Sequence, residues 1–260
     1  MKKFTKMWAI AACALFAGTA AVNAEDYTWK FVTAGDATTY AIRSDGSLWS
    51  WGWNEKGQGG NGVSERTATP TLADGNRVWK KAVGGKAYGF FLAEDGSLWA
   101  AGTHESGVQG TNDGIDHKVL TRIGTDNDWA DMACSRFWGY SGFAIKTNGT
   151  LWAWGENSAG QLGIGNIQAQ TAPVQVGSDT DWKQVAAGCS SVLALKTDGS
   201  LWGWGFNMYS ELFGHEGKQL SPVRLGSETD WEQVVVIDFR AYAVKKDGTL
   251  WAWGDNANNL

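Results

Sequence analysis

The pattern Asp/Asn-Gly-Ser/Thr-Leu-Trp occurs five times along the chain, opening at Asp45, Asp95, Asn148, Asp198 and Asp247, in steps of 50, 53, 50 and 49 residues. A second marker keeps step with it: Trp29, Trp79, Trp129, Trp182 and Trp231 each open a short apolar run such as WKQVAAG. Repetition at a period near fifty admits few architectures, because each unit is one supersecondary element that must stack on its neighbours to cover its apolar faces. Ten of the 17 tryptophans are accounted for this way. Trp51, Trp154, Trp204 and Trp253 fill the second aromatic position of LWxWG, where the second copy has Ala101, and only Trp8, Trp53 and Trp138 fall outside the register.

Within a unit the apolar alternation is that of strands. In SVLALKTDGSLWGWG two alternating segments flank Asp198-Gly199, and Asp-Gly predicts a two-residue type I′ hairpin. Trp182 to Gly188 supplies a strand before this hairpin, and Thr171 to Val176, after a glycine-rich loop, supplies the fourth strand of its unit. The expected fold is all-β: four-stranded antiparallel meanders packed radially as the blades of a β-propeller. Four blades are complete, at about 29–77, 79–127, 129–180 and 182–229, and a partial fifth runs over 231–260. The periodic indoles are expected to fill the wedges between blades, each contributing about 1.5–3 kcal/mol on burial.

Residues 1–24 read differently. Lys2, Lys3 and Lys6 form a basic head, Met7 to Val22 an apolar run too short to span a bilayer, and Val22-Asn23-Ala24 a signal-peptidase site, so an exported mature chain beginning at Glu25 is expected. Removing this leader takes away three lysines and no acid, moving the formal charge from −5 to −8 and leaving no membrane span. An acidic chain of this kind is a poor partner for nucleic acid. Cys134 and Cys189 remain after cleavage, two positions out of step in successive repeats, and read either as buried thiols or as a disulfide.

The pattern W-x-x-V-x-A-G followed by A-L-K-x-D-G-x-L-W-x-W-G-x-N-x-x-G-Q-L-G resembles the repeat of the regulator of chromosome condensation family. WKQVAAG at Trp182 to Gly188 and LWAWGENSAGQLG at Leu151 to Gly163 are the best copies. The resemblance covers Trp29 to Leu260 and implies a propeller, commonly of seven blades. Three readings of the partial fifth unit stay open: a fragment of a longer ring, an irregular ring of about five blades, or an open arc that self-associates with a second copy. Nuclear members of the family are exchange factors for a small GTPase on chromatin. The leader, the acidic balance and the replacement of a frequent repeat histidine by Thr38, Tyr88, Ser191 and Arg240 argue against carrying that activity over. Secreted bacterial members include protein-binding inhibitors of β-lactamases, which this chain resembles in repeat and address only.

Groups suited to catalysis are sparse. His104, His117 and His215 are the only histidines and lack metal-ligand spacing. The recurring Asp45, Asp95, Asp198 and Asp247 are explained by their hairpins. The glycine runs at Gly57 to Gly62 and Gly160 to Gly165 have no lysine followed by Ser/Thr, and Asn112, Asp113, Asp116, Asp126 and Asp128 lack EF-hand spacing. The expectation is therefore no enzyme, no cofactor and no metal.

Departures from the repeat cannot be explained by the repeat. They gather in the loops after A-G and after W-G, which strand direction places at one end of the blades: Trp53, Tyr88, Phe137, Trp138, Tyr140, Phe206, Tyr209, Phe239 and Arg240. Aromatic and arginine side chains on variable loops over a rigid scaffold have the composition of a binding hot spot. The reading is an exported, periplasmic, cell-surface or extracellular module that binds another protein, with Trp138 at the centre of contact. A cell-surface glycan-binding module is the alternative, and an inhibitor of a secreted enzyme a further one.

Overall fold

The computed structural model describes residues 28–136, 139–212 and 217–255. The leader, Phe137, Trp138 and His215 lie outside the described residues. The fold is an all-β propeller arc of five antiparallel sheets. β1 (Trp29–Ala34), β2 (Thr38–Arg43), β3 (Leu48–Gly52) and β4 (Thr67–Asp74) pair in chain order as the first blade. β5 (Trp79–Gly84), β6 (Tyr88–Ala93), β7 (Leu98–Gly102) and β8 (His117–Arg122) form the second, and β9 (Trp129–Cys134), β10 (Ser141–Lys146), β11 (Leu151–Gly155) and β12 (Gln170–Gln175) the third. β13 (Trp182–Ala187), β14 (Ser191–Lys196), β15 (Leu201–Asn207) and β16 (Gly217–Arg224) make the fourth, and β17 (Trp231–Ile237), β18 (Arg240–Lys245) and β19 (Leu250–Gly254) a three-stranded fifth. Among the described residues no helix is long and apolar enough to cross a membrane.

The pentapeptide is a hydrogen-bond relay. Asp45 Oδ1 accepts from the Ser47 amide at 2.9 Å and from its hydroxyl at 2.6 Å, and that hydroxyl oxygen accepts the Trp49 indole N–H at 2.9 Å. The same three bonds recur in every blade, with Asn148 Oδ1 and Thr150 in the third. The relay also corrects the expected turn. A type I′ turn needs positive φ at both central residues, whereas here only the glycine has it (Gly46, φ 87). Gly46 N–H donates to Arg43 O and Arg43 N–H to Ser47 O, the pattern of a three-residue loop closed by a left-handed glycine. Asp45 keeps an ordinary φ because its carboxylate must reach forward to Ser47.

Blades join at two levels. At the hairpin end, the amides of Trp79, Trp129, Trp182 and Trp231 donate to the hairpin glycine carbonyls of the preceding blade, Gly46, Gly96, Gly149 and Gly199, at 2.9–3.2 Å. Between blades lie four apolar clusters, each shared by two successive sheets; one sets Phe143, Leu151, Leu162 and Val176 of the third blade against Trp182, Val185, Val192 and Trp204 of the fourth. Trp154, Trp204 and Trp253 reach back so that their indole N–H groups donate to Val108 O, Gln161 O and Glu211 O of the preceding blade.

Not every periodic indole is a core filler. Trp29 is 47% exposed, and Trp49, Trp99, Trp152, Trp202 and Trp251 are half-buried. The LW rings stand edge-on to the first-strand indoles, 6.0 Å apart at 78° for Trp182 and Trp202, and the angle between them holds a cation. Lys196 Nζ lies 4.9 and 4.5 Å from those two ring centroids and 2.7 and 3.1 Å from Asp179 and Asp181. Burial lowers the Lys196 pKa, but the two aspartates outweigh it and hold the ammonium charged. Lys146 and Lys245 repeat the arrangement. The second blade has Ala93 there instead, and Arg77 covers the Trp99 ring at 4.0 Å.

Ala101, which breaks the tryptophan series, is compensated twice. Phe91 occupies the ladder position of Ala41, Ala144, Ala194 and Ala243 in the other blades and packs edge-on against Trp79 at 6.1 Å. The carbonyl of Gln58, which has no incoming indole, accepts the Tyr40 hydroxyl at 3.0 Å. Volume has moved from one strand to its neighbour, and the hydrogen bond has moved to the preceding blade. Ala101→Trp alone is therefore expected to overpack and lose about 1–3 kcal/mol, while Ala101→Trp with Phe91→Ala recovers most of that loss. Denaturant midpoints of the two single variants and the double variant give the coupling, and strictly additive shifts would contradict the compensation.

Candidate docking face

The loops after the first and third strands of each blade meet at the end opposite the hairpins. Their backbones are tied in a fixed way: the amides of Trp53, Thr103, Glu156, Phe206 and Asp255 donate to the carbonyls of Ala37, Ala87, Tyr140, Ser190 and Phe239 at 2.7–2.9 Å. Loops that differ in sequence are thus presented on one frame. In three blades an asparagine braces the following loop: Asn54, Asn157 and Asn207 Oδ1 accept from Gly59, Leu162 and Leu212 N–H. The second blade has His104 at that place, and Asp116 braces the loop through the His104 amide at 2.8 Å.

The residue following the A-G turn lies at the inner rim and is Asp36, Lys86, Arg136, Cys189 and Asp238 in the five blades. Four of the five are charged, which no packing rule of the repeat requires. Asp36 of the first blade raises the pKa of Asp238 on the fifth, where burial is the larger cause. Tyr140 is pushed up to about 12 by burial and then by Glu105, Glu156 and Asp36. Carboxylates from the first three blades therefore bear on Tyr140, and that of the first also on Asp238.

The sequence-selected residues separate on this frame. Tyr88 is a correction: it is fully buried, and its hydroxyl reaches Ser135 O at 2.6 Å and Gly139 O at 3.2 Å. It belongs to the interior because the second copy opens its second strand with a ring, long enough for its hydroxyl to reach the carbonyls of Ser135 and Gly139 in the third blade. Tyr140, half-buried, lies 6.1 Å from it. Trp53 is exposed on the first blade, remote in sequence from the rest of the set. Tyr209, 42% exposed, packs at a tilt of 56° against half-buried Phe239 with centroids 4.9 Å apart, joining the fourth blade's loop to the fifth's. Phe206 is half-buried at the end of β15, and Arg240 is held by Asp255 at 3.5 Å. Phe137 and Trp138 lie outside the described residues.

Three residues of this region were missed by sequence reasoning. Met208, 49% exposed, adjoins Tyr209. Glu211 stands where the first and third copies have Gln58 and Gln161, and it is buried: Oε2 accepts the Tyr209 amide at 2.8 Å, while burial raises its pKa and Asp255 adds to the rise. Asp238 has the left-handed φ of 54°. A buried glutamine turned glutamate is a departure from the repeat legible in the alignment of copies.

Other candidate chemistry is tied up. Asp113 pairs with His117 Nε2 at 2.8 Å and accepts from the Thr111 hydroxyl, and Asp116 faces Lys56 at 3.4 Å. Among the described residues no three or more His, Cys, Asp or Glu gather as a metal site. Cys134 and Cys189 are buried and not bridged to each other, and burial pushes Cys134 up to about 12.

Comparison with known proteins places this frame. A family model described as the regulator of chromosome condensation (RCC1) repeat matches residues 45–92 and 148–195, and a second model of that repeat matches 29–58. The chain is similar to the ultraviolet-B receptor UVR8 of Arabidopsis thaliana, 29% identical over 163 residues, which is 62% of this chain and 37% of that protein. It is also similar to the human protein RCC2, 27% identical over 150 residues, 56% of this chain and 19% of that one. Among solved structures, human WBSCR16 superposes with TM-score 0.77 at 19% identity, covering 88% of this chain and 62% of that one. Yeast RCC1 (Prp20) bound to Kap60 gives 0.76 at 20%, covering 89% and 57%. The chain thus spans about six-tenths of these propellers and less than two-fifths of the two relatives, and the structural likeness bears on the fold.

Tyr88→Phe removes the hydroxyl that serves two buried carbonyls and is expected to cost about 1–3 kcal/mol. Hydrogen exchange checks the cause: amides of 135–140 should exchange faster in the variant while those of β13 and β14 hold their rates. Unchanged exchange at 135–140 would contradict the clamp.

Proposed function

We propose, for a chain that belongs to the regulator of chromosome condensation repeat family, a non-enzymatic role as an exported propeller that binds another protein through its A-G and W-G loop face. The observation that carries this reading is the pair Tyr209 and Phe239 with Met208 beside it: apolar surface left in water, on loops that break the repeat, over a backbone frame held identically in five blades. Aromatic side chains have few rotatable bonds, so they bring large contact area at small entropic cost, which is why they dominate binding hot spots. The superposed yeast RCC1 is crystallised with Kap60, and a second structure of that protein concerns its binding to Gsp1p and histones. This chain shares the platform, and its own loops decide its partner. The leader pattern at Lys2 to Ala24 supports export, and the mature charge of −8 disfavours nucleic acid.

A photocrosslinking amino acid at Tyr209, introduced in cells that make the protein, is expected to yield a discrete protein adduct. The same probe at Ile167, exposed elsewhere on the third blade, should yield none. With the partner isolated, Tyr209→Ala and Phe239→Ala together should weaken binding by about 2 kcal/mol or more. An unchanged affinity would remove this face. N-terminal sequencing of the secreted fraction tests export: the chain should begin at Glu25, and protein retaining Met1 only in the cytoplasm would refute it.

A further inference from the structure

The loop face described above carries unbalanced charge at one place. Asp238 sits beside Phe239, half-buried, with φ 54°, a conformation that L-residues other than Asn, Asp and Gly seldom adopt. Its carbonyl oxygen accepts the Cys189 amide at 3.2 Å, so the backbone is held there, but its carboxylate has no hydrogen bond or ion pair among the described residues. In the loop that carries Tyr209, Glu211 spends Oε2 on the Tyr209 amide and leaves Oε1 buried without a partner. Buried carboxylate oxygens are normally paired, since removing them from water unpaired is costly. An unpaired carboxylate thus adjoins Phe239 in the chain, and a second, buried one holds the loop that carries Tyr209. Arg240 is bound to Asp255, and burial and the Asp36 charge outweigh Arg136 and Arg240 in raising the Asp238 pKa.

A site of this composition selects for positive charge. A guanidinium or ammonium laid on an aromatic ring gains from the ring quadrupole, and a carboxylate at the edge of the same ring adds a charge-assisted hydrogen bond. An anion would meet Asp238, on which the Asp36 charge already bears, and a purely apolar side chain would leave Asp238 desolvated and unpaired. We infer that the rim between the fourth and fifth blades receives an arginine or lysine side chain of the protein partner, its planar or alkyl surface on the Tyr209 and Phe239 rings and its charge met by Asp238. This rests on the docking face proposed above and names the chemistry of what docks.

The test uses a short, otherwise uncharged peptide with one central arginine, and its counterpart with citrulline, which has the same shape and no charge. Each is titrated into the mature chain while the ring signals of Tyr209 and Phe239 are followed by NMR. The arginine peptide should shift both rings at millimolar concentration, with the citrulline peptide weaker by about tenfold. Asp238→Asn, which keeps a residue tolerant of left-handed φ, should weaken the arginine peptide about tenfold and leave the citrulline peptide unmoved. A lysine peptide should shift the same rings. Equal affinity of the arginine and citrulline peptides, or no effect of Asp238→Asn on the arginine peptide, overturns the inference. If neither peptide shifts the rings while crosslinking at Tyr209 still captures a protein, this inference fails and the docking face stands; loss of both removes the face itself.

Discussion

Each blade has an apolar layer on both sides and can cover neither alone, so the molecule depends on how one sheet is seated on the next. The seat is made by tryptophan in two ways. After the first blade, indoles of the first strand and of the W-G position lie between sheets, and their N–H groups or backbone amides reach a carbonyl of the preceding blade. A ring buried this way contributes by area, about 1.5–3 kcal/mol or somewhat more, and the hydrogen bond fixes its register. A blade out of register would leave those carbonyls unpaired, at a cost of about 1–3 kcal/mol each, comparable to that of a misplaced ring. The second blade shows the rule by breaking it: where Ala101 removes the indole, Phe91 restores volume and Tyr40 restores the donor.

Rigidity at the sheets frees the loops. The same backbone bond recurs from the residue after W-G to the carbonyl before the second strand, whatever the side chains are. Loop sequence can then change from Glu156 to Phe206 to Asp255 without altering the frame. The rim position that reads Asp36, Lys86, Arg136, Cys189 and Asp238 illustrates the freedom. Side chains vary where neither the relay nor the wedge constrains them, and the aromatic pair of Tyr209 and Phe239 is one such place.

Much of the fold was legible because the pentapeptide carries its own hydrogen-bond relay, so every atom that shapes the turn is written within five residues. The turn type was misjudged for a reason visible only in three dimensions: Asp45 Oδ1 serves Ser47, which holds Asp45 itself at ordinary φ. The half-burial of Trp49 and its counterparts was hidden by the same symmetry, since periodicity alone does not separate a ring wedged between sheets from a ring capped by Lys146 or Lys196. At the candidate site, Tyr209 and Phe239 stood out as breaks in the repeat. Tyr88 stood out equally and turned inward, because a break at a strand opening can fill a local gap as well as meet a partner. Glu211 and Asp238 were passed over because carboxylates in loops are ordinarily solvated, and only geometry shows one of them buried and the other held at left-handed φ.

The sheets are locked blade on blade, whereas each loop at the opposite end from the hairpins is tied by a few bonds of its own, and native-state hydrogen exchange measures that difference most directly. The middle strands β6, β10 and β14 should carry the slowest amides, exchanging through global opening, while 208–211 and 238–240 exchange orders of magnitude faster. Middle strands that exchange as quickly as those loops would contradict the account, as would loops protected to the level of the strands in the absence of a partner.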